Sequence, residues 1–546
     1  MCCTLELAAR SKALGSSQTV LIADNIDKCA LELLRQHGLE TKIAAGASYE
    51  ELLALVADAD ALVVRSRVPV TREMIAGARR LKVIARAGIG VDNIDLEAAT
   101  ERGIWVVNAP NSNAVAVAEH TIGLMLCLAR RTPWAWESLR RGQWQREHFR
   151  GQQLHGKTLG IVGLGRIGSR VAERARCFGM KVIAHDPFVA PERASAVGAT
   201  LVPLEELLRR ADFISLHVPA TPSTIGLLGV EELRLCKPTA FLINCARGAV
   251  VDEQALLEAL DAGRLAGAAL DVFSREPPLG SALVCHPLVI ATPHIGGLTA
   301  EAQEDIALTV AQQILDVLGG RNPEHPVNAP ALSPEERERL APYTELARRM
   351  GLFYAGIAEE PTERLELGLL GEATGLRADV LEAAALEGLL SGSEVPVNLI
   401  NARRMALARG ISISHTLSPT APSPYASALA LSVSTPSGTH LLLGTTAHGQ
   451  PYIVRIDDLQ ISFVPAGLLL YTEHIEQPGI LGRMGTLLGE HGVNISFVQV
   501  GRQERGGPGI MILGVDDELS EALLGAIERM PSVRRARLLR LPPLRS

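Results

Sequence analysis

The feature that most restricts what this chain can fold into is Gly163-Leu164-Gly165-Arg166-Ile167-Gly168, because of what flanks it. The apolar run 158–165 (TLGIVGLG) reads as a strand, the motif opens a helix, and the next strand (181–186, KVIAHD) ends on Asp186. A bare GxGxxG marks many glycine turns. In this strand–turn–helix–strand–acid setting it marks a dinucleotide site. Gly163 permits the tight turn, Gly165 lets the backbone approach a pyrophosphate, and Gly168 lets helix and strand pack closely. Arg166 and Ile167 begin the helix, whose unpaired N–H groups and partial positive charge suit phosphates. Asp186 accepts from ribose hydroxyls and repels a 2′-phosphate, which predicts NAD rather than NADP. The competing reading is a purely structural glycine turn.

Short apolar runs alternate with helical stretches on both sides of this loop. Residues 20–24, 61–66 and 81–88 read as strands and 28–38 as a helix; further strands are expected at 213–219, 240–246 and 267–273. Their nearly continuous apolar character is that of parallel strands covered on both faces, so the fold class is α/β. A long amphipathic helix (301–320) ends at Gly319-Gly320, and 321–330 (RNPEHPVNAP) reads as a linker. Beyond it, 331–465 carries helical stretches and then strands around a Ser/Pro/Thr-rich loop at 417–427. Residues 467–546 read β-α-β-β-α-β, the ferredoxin-like order.

Composition excludes several classes. With 546 residues, three or four domains are expected. A net charge of −7 without a dense basic cluster argues against a nucleic-acid partner. No run reaches the roughly 18–20 apolar residues of a membrane span. Eight scattered cysteines without CxxC or Cys/His spacing predict reduced thiols, no metal site and a cytoplasmic protein. Residues 1–18 precede the first strand and read as an N-terminal extension; an organelle-targeting stub there stays open.

Three downstream segments complete a constellation: Asn244-Cys245-Ala246-Arg247-Gly248, Asp271-Val272-Phe273-Ser274-Arg275-Glu276-Pro277 and Thr292-Pro293-His294-Ile295-Gly296-Gly297. Arg247 and His294 stand just beyond candidate strands and Glu276 on the loop after 267–273, where open α/β sheets bind ligands. Taken singly, a histidine or an Arg–Glu pair is usually structural. Together with the glycine loop, these residues resemble the D-isomer-specific 2-hydroxyacid dehydrogenases over about residues 20–330. The resemblance implies a catalytic set of Arg247, Glu276 and His294. The arginine would bind and polarise the substrate carboxylate and carbonyl, the histidine would take the C2 hydroxyl proton, and the glutamate would support the imidazolium. It further implies cofactor contacts at Cys245, Ala246, Asp271, Gly296 and Gly297, with Asp271 on the nicotinamide carboxamide. Ile89 and Val218 stand where some relatives carry threonine.

Within that family the chain resembles the long-form phosphoglycerate dehydrogenases. Arg65, Arg86 and Asn113 match positions that contact substrate carboxylate or phosphate, and Arg146 matches an arginine that reaches a neighbouring subunit's substrate. Guanidinium groups suit phosphate because they donate paired hydrogen bonds. Segment 395–411 resembles that family's intervening domain; its Arg403, Arg404 and Arg409 read first as a solvated helix face. The tail resembles an ACT regulatory domain at 475–482 and 491–495.

The organisation implied is a flavodoxin-like α/β substrate domain (19–113 and 294–330, with the linker), a Rossmann-type NAD-binding domain inserted in it (114–293), an α+β intervening domain (331–465) and a ferredoxin-like ACT domain (466–546). The activity implied is NAD-dependent oxidation of 3-phospho-D-glycerate to 3-phosphohydroxypyruvate, the first step towards L-serine, in a homotetramer or dimer. L-Serine is the implied feedback effector. The turn 474–479 puts backbone N–H groups at a helix start; Glu476 answers an amino group, and Asn494 donates and accepts. His474 and Asn494 also fit a plain turn-capping role. Two other readings remain: a glyoxylate or hydroxypyruvate reductase, whose members usually lack the 331–546 tail, and a co-repressor-like NAD-binding protein.

Overall fold

The computed structural model describes residues 18–393, 395–422 and 424–544. The extension at 1–17, with Cys2 and Cys3, lies outside the described residues. The first sheet is parallel: β1 (Thr19–Ile22), β2 (Glu40–Ile43), β3 (Ala61–Val64), β4 (Val83–Arg86) and β5 (Trp105–Asn108), in the order β2-β1-β3-β4-β5. That is the flavodoxin-like order. β1, β3 and the first three residues of β4 are buried, as their unbroken apolar runs predict. β2 and β5 go beyond the sequence expectation: β2 reads ETKI and is mostly exposed, so it shows no apolar signal.

The second sheet holds β6 (Thr158–Val162), β7 (Lys181–His185), β8 (Ala199–Leu201), β9 (Phe213–Leu216), β10 (Phe241–Asn244), β11 (Gly267–Leu270) and β12 (Val289–Ala291). Its order, β12-β11-β10-β9-β6-β7-β8, is all parallel and reverses direction between β6 and β9. Two helices cross between the units. Helix Ala114–Arg130 packs Val117, Ile122 and Met125 against Leu159 and Ile161 of the second sheet. Helix Ala300–Leu318 returns to bury Ile306, Val310 and Ile314 against Val20, Ile22 and Val83 of the first.

The C-terminal half is built differently. A mixed sheet comprises β13 (Arg364–Gly371), β14 (Ser412–Ser418), β15 (Ser427–Thr435), β16 (Gly438–Ala447), β17 (Gln450–Ile456) and β18 (Leu459–Phe463), ordered β14-β13-β15-β16-β17-β18. An antiparallel sheet follows with β19 (Gly467–Ile475), β20 (Ile495–Arg502), β21 (Pro508–Val515) and β22 (Val533–Leu541), ordered β20-β21-β19-β22. With helices Ile480–Glu490 and Glu521–Glu528 this is the expected ferredoxin-like unit.

One core runs through both units. Leu469, Tyr471, Ile510, Ile512 and Leu539 of the last sheet pack with Met350, Phe353, Leu367 and Leu431 of the intervening unit. Leu470, Met511 and Leu513 point the other way, onto the two helices. Among the described residues no helix is long and apolar enough to cross a membrane, and no group of three or more His, Cys, Asp or Glu is placed to hold a metal ion.

Candidate active site

The cleft begins at the switch point between β6 and β9, where the carboxyl ends of the strands leave a crevice. Gly163 sits at φ 92°, and a Cβ there would lie 2.7 Å from the carbonyl oxygen of His217, so only glycine fits. Gly168 is tighter still: its Cβ would meet the Gly163 oxygen at 2.1 Å. Above Gly165 the space is open, and the helix it begins, Arg166–Cys177, has no side-chain cap. One strand along, Asp186 accepts from the N–H of Leu164 (2.8 Å, Oδ2) and of Phe188 (2.9 Å, Oδ1). An uncapped helix start with free space before it and a clamped carboxylate beside it fit a dinucleotide.

The turn after β10 is held by Asn244, which is buried. Its Oδ1 accepts from Ala246 N–H at 3.0 Å, and its Nδ2 donates to the Arg247 carbonyl at 2.9 Å. Cys245 and Ala246 are therefore buried on the turn, and Arg247 leaves it in extended backbone. A Cβ on Gly248 would lie 1.9 Å from the Phe273 carbonyl carbon. That close approach puts the Arg247 turn directly against the loop that carries Glu276.

Asp271 organises the third segment. It is buried and accepts from Thr292 Oγ1 (2.6 Å), Ile295 N–H (2.8 Å) and Gly296 N–H (2.8 Å), with His120 Nε2 3.5 Å away. Burial works against its charge, but the bonds from His120, Thr292 and the two backbone N–H groups hold its carboxyl below the ordinary range. Between those anchors His294 takes left-handed backbone at φ 53°. Its Nδ1 lies 2.8 Å from Glu276 Oε2, and Glu276 Oε1 accepts from Phe273 N–H at 3.2 Å. Burial pushes Glu276 up; the His294 bond and charge and the Phe273 N–H outweigh it and hold the carboxyl low. The ring is half-exposed, and its Nε2 has no partner among the described residues. An imidazole so held can take a proton at Nε2 while the carboxylate stabilises the resulting charge.

The opposite wall comes from the first sheet. Arg86 ends β4; its Nη1 donates to the Ala87 carbonyl at 2.7 Å, and its buried Nε has no partner. Burial, then the like charges of Arg65 and Arg247, lower its pKa to about 10, with Asp24 and Asp92 pulling the other way. The backbone of Arg65 is fixed just beyond β3: its N–H donates to Asp24 (3.1 Å) and its carbonyl accepts from Asn93 Nδ2 (2.7 Å). Arg247 Nε lies 3.4 Å from Asp92 Oδ2, and a Cβ on Gly90 would meet Arg247 Nη2 at 2.2 Å. Three guanidinium groups from two sheets are thus brought together. Asn113, at the start of helix Ala114–Arg130, keeps a buried Oδ1 without partner and lies against Gly297. Arg146 stands apart, exposed on the turn Arg146–Phe149.

The sequence reasoning missed Asp24, Asp92, Asn93, His120 and Thr292, which all brace the site. Four of the five lie within seven residues of Arg86, Asn113 or His294 along the chain, so adjacency was the available signal. Asp24 ends the first strand run, where nothing marks it.

The positions expected to hold an effector have these surroundings. His474 lies inside β19 rather than on the turn, because its backbone pairs with Gly509 and Val533; it is buried, and neither ring nitrogen has a partner. Glu476 is bound to Arg502 (2.5 Å) and to Gly506 N–H (2.8 Å). Asn494 Nδ2 donates to Asp516 at 2.6 Å. Of the intervening arginines, Arg403 pairs with buried Glu382, and Arg404 reaches Glu97 and Glu101 of the first unit.

Residues 122–296 match the family of D-isomer specific 2-hydroxyacid dehydrogenase NAD binding domains. Residues 339–457 match the D-3-phosphoglycerate dehydrogenase intervening domain, and 470–531 match the ACT domain. A D-3-phosphoglycerate dehydrogenase of Methanocaldococcus jannaschii is 43% identical over 517 residues, covering 94% of this chain and 98% of that protein. The D-3-phosphoglycerate dehydrogenase of Homo sapiens is 39% identical over 502 residues, covering 89% and 93%. The crystal structure of the TT0316 protein from Thermus thermophilus superimposes with a TM-score of 0.54 at 42% identity, covering 57% of this chain and 100% of that one.

Proposed function

The chain belongs to the D-3-phosphoglycerate dehydrogenases, NAD-dependent oxidoreductases of the D-isomer-specific 2-hydroxyacid dehydrogenase family, and from that premise we propose how its own residues do the work. The observation that carries the reading is the gathering of Arg65, Arg86 and Arg247 across the cleft from the His294–Glu276 pair. Like-charged guanidinium groups this close, one with a buried unpartnered Nε, call for an anion with more than one charged end. 3-Phospho-D-glycerate has a carboxylate at one end and a phosphate at the other. Arg247 binds the carboxylate and polarises the reacting carbon, while Arg65 and Arg86 take the remaining negative charge. Asn113, with its free Oδ1, orients the bound substrate, and Arg146 reaches the site of a neighbouring subunit.

His294 Nε2 accepts the C2 hydroxyl proton, and Glu276 stabilises the imidazolium. NAD, when bound, would supply the acceptor for the C2 hydride. Gly163, Gly165, Gly168 and the helix start at Arg166 and Ile167 hold the pyrophosphate, Asp186 the adenosine ribose, and the buried turn of Cys245 and Ala246 walls the pocket. Asp271 fixes the segment carrying His294, Gly296 and Gly297; its Oδ2, with a single protein donor, is the oxygen left for the carboxamide. The test is initial-rate NADH formation with 3-phosphoglycerate, D-glycerate and D-lactate side by side. A clear preference in kcat/KM for the phosphorylated substrate is expected; equal turnover of D-glycerate removes the phosphate role of the arginines.

The ACT match supports feedback by L-serine at a seam between two ACT domains in a homo-oligomer, a dimer or tetramer working in the cytoplasm. Gly479, at φ 86°, opens helix Ile480–Glu490 without a side-chain cap, leaving its N–H groups for a carboxylate. Glu476 meets an ammonium there only by sharing with Arg502. Titrating activity with L-serine tests this; equal sensitivity of the wild type and Asn494→Ala removes Asn494 from the site.

A further inference from the structure

The segment 321–330, which carries the chain out of the catalytic half, does not run free. Val107 of β5 and Pro326 form an antiparallel bridge. Val327 N–H donates to the Val106 carbonyl (2.7 Å), Asn108 N–H to the His325 carbonyl (3.3 Å) and Val106 N–H to Asn328 Oδ1 (2.9 Å). β5 is an edge strand of the first sheet, so the connection pairs along that edge and satisfies its backbone groups.

The carboxyl end of β5 also holds the loop between the substrate arginines. Asn108 Nδ2 donates to the Ile89 carbonyl at 2.6 Å, and Ala109 N–H to the Gly88 carbonyl at 2.9 Å. A Cβ on Gly88 would lie 2.4 Å from Arg86 Nη1, and one on Gly90 2.2 Å from Arg247 Nη2. Both guanidinium groups therefore lie directly against this loop, and its position sets theirs. Gln313 joins the two features. It sits on helix Ala300–Leu318, 1% exposed; its Nε2 donates to the Asn108 carbonyl at 2.8 Å and its Oε1 accepts from His325 N–H at 2.8 Å. Its neighbours in that core, Val310, Ala311 and Ile314, are apolar. Packing alone would be served there by a methionine, and a buried amide is tolerated because both its ends are bonded.

We infer that Gln313 is a positioning residue for substrate binding, which fixes the end of β5 and the loop 88–90 against Arg86 and Arg247 and ties that loop to the segment leading into the C-terminal half. The inference rests on the assignment of those arginines to phosphoglycerate. Gln313 acts through Asn108 and not on the substrate itself. The His294–Glu276 pair is held by other bonds, from Phe273 N–H to Glu276 and from Ile295 and Gly296 N–H to Asp271. Loosening the Gln313 connection therefore disturbs the grip on the anion and spares the proton transfer.

The test is initial-rate kinetics of the full-length enzyme with 3-phosphoglycerate and NAD. Gln313→Met keeps the length of the side chain and removes both bonds. It raises the KM for phosphoglycerate roughly three- to tenfold, the effect of losing a buried hydrogen bond, and leaves kcat and the KM for NAD nearly unchanged. Asn108→Ala, which cuts the bond to Ile89 without touching the helix, gives the same split and stands in if Gln313→Met folds poorly. Asn328→Ala, which frees the connection from Val106, raises the same KM, and the double variant with Gln313→Met falls short of the product of the single effects because both act on one connection. Gln312→Met, on the same helix with its amide on Asp316, leaves every constant as in the wild type. The inference is overturned if Gln313→Met raises the KM values for phosphoglycerate and NAD equally or moves neither. Its link to the C-terminal half is overturned if the double variant shows the full product. Arg86→Ala, measured alongside, keeps the two readings apart: an unmoved KM there removes the arginine assignment, whereas a raised KM there with an unmoved one in Gln313→Met removes the inference alone.

Discussion

The catalytic half and the C-terminal half handle charge at their junctions in opposite ways. In the catalytic half two α/β units keep separate cores, and the ionisable groups face each other across the gap: Arg65 and Arg86 on one side, Arg247, Glu276 and His294 on the other. In the C-terminal half the intervening and ACT units share one core, and the main charge between them is sealed inside it. Arg349, fully buried on helix Pro334–Ile357, is bound by Glu345 and donates to the carbonyls of Pro465, Pro542 and Pro543, the two ends of the ACT unit. A gap whose like-charged guanidinium groups repel one another favours an anion between them. A junction whose charge is saturated by the chain holds its parts as one body.

The widest separation of the two halves is expected from His294→Ala. It should lower kcat by about 10²–10⁴-fold, the usual worth of a general base, without moving the melting transition of the C-terminal half. Near-normal turnover would remove His294 from the proton path. Arg349→Ala is the converse. It takes the guanidinium from the Pro465, Pro542 and Pro543 carbonyls while Glu345 keeps Arg348, a loss of charge-assisted hydrogen bonds worth about 1.5–3 kcal/mol each. The intervening and ACT units should then melt earlier and together in calorimetry while NAD binding is unchanged. If only the ACT unit loosens, the shared core is not the cooperative unit drawn here.

Smaller changes sharpen the picture within the cleft. Arg86→Ala removes a charge-assisted contact worth about 1.5–3 kcal/mol. The KM for phosphoglycerate should therefore rise roughly ten- to a hundredfold and that for NAD little; equal rises in both would make Arg86 structural. Glu276→Gln should have the smallest effect at neutral pH and a clear one on the profile. The Glu276 carboxyl is held low, so it is ionised over the working range and loses its support of the His294 imidazolium only as pH falls through its depressed value. Without that carboxylate the imidazolium gives up its proton more readily, and the acid limb of the kcat profile moves to lower pH. An unmoved limb would show that the 2.8 Å contact only positions the ring.

How much of this was legible differed between the halves for the same physical reason. Buried parallel strands and a glycine loop leave local traces: Gly163 and Gly168 are glycine because a Cβ would strike backbone a few residues or one strand away. Arg247, Glu276 and His294 could be nominated because each sits on a short loop after a strand, where ligands collect, and the structure brings Glu276 within 2.8 Å of His294. β2 left no trace because an exposed edge strand does not need apolar residues. The partners of the effector positions left no trace for a related reason. Nothing near Glu476 in sequence announces that Arg502 and Gly506, from the β20–β21 hairpin, will claim it.

By itself, then, the sequence determined the order of most elements and the glycine loop, since these depend on backbone geometry and residue chemistry over short spans, and its resemblance to a family nominated the candidate reacting side chains. Only the tertiary structure decided which charges are free. Arg86 ends a strand and Arg349 lies on a helix one turn after Glu345, but neither setting tells which guanidinium stays free. One keeps a buried nitrogen unbonded beside two like charges, while the other meets a glutamate one helical turn away and three carbonyls brought from more than a hundred residues along the chain. Whether a charge is available to a ligand depends on what long-range packing places within about 3 Å of it, and that distance is written in the fold rather than along the chain.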